Sequence, residues 1–169
     1  PDDTEILYAR ALVAERLDSL QQAEADFRAV LKQDPDNAHT LNALGYTLAD
    51  RTEEYREAEK FIRKALKYNP DSPAIIDSLG WVLHKRGQNE EALEYLEQAY
   101  AGFPDPEVAA HIVEVLVALD RRDEALERLK DARAVVTLFR NENQIVNPEI
   151  DIQTQAGLLG NLQNQQAQT

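Results

Sequence analysis

Alanine recurs at positions 23, 58, 92 and 125, at intervals of 33 to 35 residues, and four places after each stands a large apolar residue: Phe27, Ile62, Leu96 and Leu129. Three places further come Val30, Ala65, Ala99 and Ala132, and the prolines Pro35, Pro70 and Pro104 keep the same step. A spacing of i, i+4 and i+7 marks one face of an α-helix. A pattern that returns at a near-fixed period of this length makes the fold a stack of similar helical units, each of which contacts only its neighbours.

The stretch from Ser72 to Ala99 shows what one unit is. Ser72 suits a helix N-cap and Pro73 the first turn, while Gly87 suits the left-handed conformation that ends helices. Between them Ile76, Leu79, Val82 and Leu83 share one face. Beyond Gly87, Ala92, Leu96 and Ala99 form a second apolar stripe, and Glu90, Glu91, Glu94 and Glu97 fill the other positions. The unit is a helical hairpin with one apolar seam. The same landmarks predict helix pairs over 4–17 and 20–33, 37–50 and 54–68, 72–86 and 88–101, and 105–119 and 121–139. Asp36 or Asn37, Ser72 and Asp105 are the expected N-caps.

The period, the pairs Leu44-Gly45 and Leu79-Gly80, and the alanine followed four places on by a large apolar residue together resemble the tetratricopeptide repeat. The resemblance covers about four repeats, residues 4–136, and implies an all-α, right-handed α-solenoid over residues 1–140. Repeat one carries Arg10-Ala11 and repeat four Ile112-Val113 where Leu-Gly belongs, so the close helix approach that glycine permits is reduced at both ends. Repeat two holds one extra residue between Arg51 and Tyr55, which an inter-helix loop absorbs cheaply. The last helix continues its stripe through Leu129, Ala132, Val136 and Phe139, as a long helix covering the end of the stack would. Residues 141–169 fall outside the repeat. They are rich in Gln and Asn, carry Gly157 and Gly160, and read as an extension with at most one weak helix, or a short strand at Ile150 and Ile152. Docking on the solenoid or self-association with a second copy would give this tail a role.

Eighteen Lys and Arg against 31 Asp and Glu give a formal net charge of −13. Such a surface disfavours nucleic acid and anionic membrane and suits a basic partner, although carboxylates on helix faces serve solvation first. No cysteine is present, so the chain has neither a disulfide framework nor a thiolate metal site. No run reaches the roughly 18 apolar residues that a membrane-spanning helix needs. The chain opens on Pro1 without a charged and apolar leader, as expected of a processed chain or an excised piece whose signal peptide or lipid anchor has been removed.

In the fold that the resemblance implies, the first helix of each repeat lines the concave surface. Carried onto this sequence, that surface supplies a partner-binding set of Tyr8, His39, Asn42, Tyr46, Asp50, Asp77, Trp81, His84 and Glu114. Tyr46 and Trp81 suit an apolar anchor of an extended or helical segment, and Asp50, Asp77 and Glu114 favour Lys or Arg beside it. Trp81 equally suits the core between repeats. Members of the family that hold the C-terminal carboxylate of chaperones do so through lysines and asparagines at the fifth and ninth places of the repeat, where only Asn42 fits here; Asp77 and Glu114 at such places would repel that ligand.

For catalysis the raw material is His39, His84 and His111 with many carboxylates; His111 and Glu114 lie three apart, and Asp77 and His84 seven apart on one helix face. No phosphate loop, G-x-S-x-G elbow, H-E-x-x-H or cysteine nucleophile accompanies them. The expectation is a non-catalytic interaction scaffold with neither cofactor nor metal, and an enzyme with a His/carboxylate site is the minor alternative.

The segment from Asp77 to Leu126 resembles, more narrowly, the C-terminal repeats of proteobacterial tetratricopeptide proteins, some of them outer-membrane lipoproteins that act as adaptors for a periplasmic carboxyl-terminal processing protease. This resemblance implies a periplasmic scaffold, anchored at the outer membrane, with a protein or peptide partner. A cytoplasmic assembly or co-chaperone-like scaffold is the alternative.

Overall fold

The computed structural model describes residues 3–142, with side chains for 3–133. Among these residues there are eight α-helices and no strand: α1 (Thr4–Arg16), α2 (Leu20–Gln33), α3 (Ala38–Arg51), α4 (Tyr55–Tyr68), α5 (Pro73–Lys85), α6 (Asn89–Gly102), α7 (Pro106–Ala118) and α8 (Arg122–Glu142). The chain divides into two compact units, Pro1–Leu129 and Lys130–Thr169, and the boundary falls within α8. The helix pairs agree with the expected ones, except that α8 runs on to Glu142 and so takes in the first two residues assigned to the tail. The weak helix or strand expected further on lies outside the described residues.

The helix ends follow from local chemistry. The Asn37 carboxamide accepts from the Thr40 amide at 3.0 Å, and Asp105 and Asp3 accept from the amides of Glu107 and Glu5 at 2.8 and 2.9 Å. Ser72 stands at the N-cap of α5 without a side-chain bond, and Pro73 follows it in the first turn. Gly87 closes α5 at φ 78° as expected. Its counterparts in the first and last hairpins are Asp18 at φ 60° and Asp120 at φ 57°, because aspartate is among the few residues that tolerate this region. In the second hairpin the inserted residue replaces that turn by extended Thr52. The Thr52 hydroxyl donates to the Leu48 carbonyl at 2.6 Å and accepts from the Glu54 amide at 3.1 Å.

Within the first unit α1 packs on α2, α3 on α4 and α5 on α6, and α3, α5 and α7 also pack against the second helix of the preceding hairpin. Ala23, Phe27, Leu44, Ala58, Ile62, Leu79, Ala92 and Leu96 are all fully buried in one continuous core. A Cβ on Gly45 would lie 2.6 Å from Ile62 Cγ1 and 2.9 Å from the Ala58 carbonyl oxygen; one on Gly80 would lie 2.6 Å from Leu96 Cγ and 3.0 Å from the Ala92 oxygen. The glycines of the first helices therefore exist for the alanine and large apolar residue of the second helices, which press into the space a side chain would take. Glu90 and Glu94 remain exposed, and Glu97 is half-buried where Arg128 donates to it.

A candidate partner-binding groove

Contacts of α3 with α5 and of α5 with α7 set the inner helices side by side. Residues one repeat apart in sequence then become lateral neighbours. A groove of about 490 Å³ results, lined by Leu12 and Glu15 of α1, Asn42, Ala43 and Tyr46 of α3, Ala74 and Asp77 of α5, and Phe103, Asp105, Glu107 and Val108 at the start of α7. Its apolar floor is flanked by carboxylates, and none of its lining residues is basic. Asn42 Oδ1 is buried with no hydrogen-bond partner among the described residues, an acceptor unused at the groove wall. The Tyr46 hydroxyl donates to Glu107 Oε1 at 2.9 Å, which ties the second hairpin to the fourth. Burial first, and this bond second, push the Tyr46 phenol well above the ordinary tyrosine range.

Beside the groove the inner helices share a buried stack. His111 Nδ1 lies 2.9 Å from Asp77 Oδ1, and since a carboxylate can only accept, the ring nitrogen carries the hydrogen. The Trp81 ring stacks on His111 with centroids 4.1 Å apart and planes at 20°, its Nε1 donates to Asp50 Oδ1 at 3.3 Å, and Lys85 Nζ stands 4.1 Å from the ring centre. Asp77, Trp81 and His111 are 7%, 5% and 7% exposed. A charged or polar group so enclosed is tolerable only when paired, and here each polar member has a partner.

The residues expected to face a partner fall into three places. Asn42, Tyr46 and Asp77 line the groove; Tyr8 and His39 line a smaller depression of about 340 Å³ near the start of α1. Trp81 belongs to the stack between hairpins, with Asp50 exposed at its edge. His84 Nδ1 pairs with Asn89 Oδ1 at 2.8 Å, and its Nε2 lies 3.5 Å from exposed Glu114. The two pairs considered for catalysis are not formed along the helices as their spacing suggests: His111 meets Asp77 rather than Glu114, and His84 meets Glu114 rather than Asp77. Among the described residues no group of three His, Asp or Glu could hold a metal ion, and no helix is long and apolar enough to cross a membrane. Glu15 and Glu107, which also occupy concave places of the repeat, line the groove as well, and Phe103 and Asp105 complete it without having been expected there. Asp105 and Phe103 sit in an inter-repeat loop, whose approach to the groove no periodicity reveals.

Residues 1–38 and 43–107 match the tetratricopeptide repeat, as do residues 83–136. The chain belongs to the tetratricopeptide repeat family. The TPR repeat-containing protein PA4667 of Pseudomonas aeruginosa is 52% identical over 114 residues, which cover 68% of this chain and 19% of that protein. Among solved structures, MamA from Desulfovibrio magneticus RS-1 superposes with a TM-score of 0.69 at 21% identity, over 80% of this chain and 76% of that one. A tetratricopeptide repeat protein from Parabacteroides merdae gives 0.70 at 18% identity, over 78% and 52%. At such identities the likeness is one of fold. The all-α solenoid is that of a protein-interaction scaffold, a class that is generally non-catalytic.

Proposed function

We propose that the chain is a non-catalytic adaptor of a bacterial cell-envelope complex, periplasmic and held at the outer membrane, whose groove takes a partner segment in the service of a carboxyl-terminal processing protease. The observation that carries the binding part is the groove itself: an apolar floor, carboxylates from three hairpins and an unused buried acceptor at Asn42. A segment with an apolar anchor beside Tyr46, flanked by Lys or Arg and offering an N–H to Asn42, matches that lining. The envelope part rests on the resemblance of Asp77 to Leu126 to repeats of protease adaptors.

Calorimetry with the purified processing protease tests both parts. Binding weakened about tenfold or more by Glu107→Lys is the expected result, since a cation there opposes a basic segment. Absence of binding rejects the protease. Binding indifferent to Glu107→Lys moves the partner off the groove.

A further inference from the structure

On a different surface, α1 exposes a stripe that the later repeats bury. Ile6 and Val13 are 66% and 57% exposed. One repeat on, the counterparts of Ile6 and Val13 are Thr40 and Thr47, at 1% and 5%; in α5 they are Ile75 and Val82, at 2% and 0%; in α7 they are Val108 and Val115, at 6% and 0%. The difference has one structural cause. α3, α5 and α7 each lie against the second helix of the hairpin before them, and α1 has no such neighbour among the described residues. Between Ile6 and Val13 stands Arg10, where the later repeats carry fully buried Leu44, Leu79 and Ile112. Its guanidinium is already committed, Nε and Nη2 each donating to the buried Asp26 carboxylate at 2.7 Å, so covering this face would not strand a bare charge.

We infer that this face of α1 is a stacking surface, and that its occupant is a preceding helical hairpin of the same repeat on the same polypeptide, seated as α4 seats on α5. Repeats are stabilised by nearest-neighbour interfaces, and an apolar stripe left open is a marker of such an interface. A source in the same polypeptide is favoured by length: the 52% identical relative is a repeat protein of which this chain spans only 19%.

The test duplicates residues 37–71 directly before Asp3, which keeps the register because Asp3 occupies the place of Ser72. The chain has no cysteine of its own, so Val13→Cys supplies a single thiol whose alkylation reports cover. In the fused protein alkylation should slow by about tenfold or more, because a covered thiol reacts only through local opening, and thermal unfolding should move upward. Ile6→Cys gives the same readout if the first variant folds poorly, since its counterparts Thr40, Ile75 and Val108 are buried. Equal alkylation rates in fused and unfused proteins would overturn the inference. Protection in the unfused protein that rises with concentration, together with a dimer in light scattering, would also overturn it by giving the face to a second copy.

Discussion

The third hairpin and the first solve the same packing problem by different means. In the third, Gly80 lets α6 approach until Leu96 occupies the volume of the missing side chain, and every residue from Ile75 to Leu83 is buried. In the first, Ala11 stands in the glycine position, Arg10 in the leucine position, and the helices are joined at their edge by the Arg10–Asp26 pair, with Gln22 donating to the same carboxylate at 2.9 Å. Only Leu7, Ala11 and Ala14 of α1 are buried. A hairpin held from both sides closes its own seam by apolar contact and buries the Asp77–His111 pair, whereas the first, whose α1 has a neighbour on one side only among the described residues, keeps a hydrogen-bonded ion pair where water still reaches the guanidinium.

The largest effect should come from the seam of the third hairpin. Leu96→Ala removes a side chain with no exposure, and should cost about 2–5 kcal/mol in chemical denaturation. An unchanged midpoint would break the view that this hairpin is closed by packing.

Next comes the ion pair. Arg10→Leu copies the later repeats but leaves the Asp26 carboxylate buried and deprived of its main partner, at about 1–3 kcal/mol; adding Asp26→Leu should recover most of the loss. If the single change is harmless, the first hairpin does not depend on this pair. The same pair predicts acid sensitivity. The hydrogen bonds from Arg10 hold the Asp26 carboxyl below its ordinary range despite burial, so its contribution is complete above about pH 4 and is lost as pH falls through the folded value. A pH series of denaturation midpoints should show this loss in the natural chain, and less of it in the Arg10→Leu, Asp26→Leu protein.

A smaller contrast is expected at the glycine position. Gly80→Ala gains about 1 kcal/mol of helix propensity but forces Leu96 aside at a cost of about 1–3 kcal/mol, so the net change is destabilising. Ala11→Gly at the equivalent place should lose about 1 kcal/mol through propensity. Opposite signs for the alanine, measured by thermal unfolding, would confirm that the third hairpin needs glycine here and the first does not. Tyr46→Phe should have the smallest effect, about 0.5 kcal/mol, because its bond to Glu107 is exposed. A larger loss would mean that this link helps to set the spacing of hairpins two and four.

The hairpins were legible because their signals are local. Spacing of i, i+4 and i+7, a proline in the first turn and a glycine after the last act within one helix, and they placed α1 to α7 closely. The left-handed Asp18 and Asp120 were less legible, since aspartate adopts that conformation only under the constraint of a turn. Of the groove, Leu12, Glu15, Asn42, Tyr46, Asp77 and Glu107 could be named from their places in the repeat, whereas Phe103 and Asp105 of the inter-repeat loop could not. The partnership of Asp77 with His111 could not be read along a helix, where Glu114 is the nearer candidate. Comparing equal places does not expose it either, since Asp77 corresponds to Ala110 and its partner stands one residue further on, where only the lateral packing of α5 and α7 brings the two together.

By itself the sequence determined the repeat, its hairpins and the seam inside each, because helix formation and amphipathic pairing depend on neighbours a few residues away. Tertiary structure decided the rest: that Trp81 is enclosed by His111 and Asp50, that His84 and Glu114 meet across helices, that Phe103 and Glu107 close a groove begun by Leu12. Those relations depend on how far and at what angle one hairpin is displaced from the next. That displacement is set by the summed shape of the buried side chains at each junction, such as Ile62 against Gly45 and Leu96 against Gly80, and by no single residue's preference.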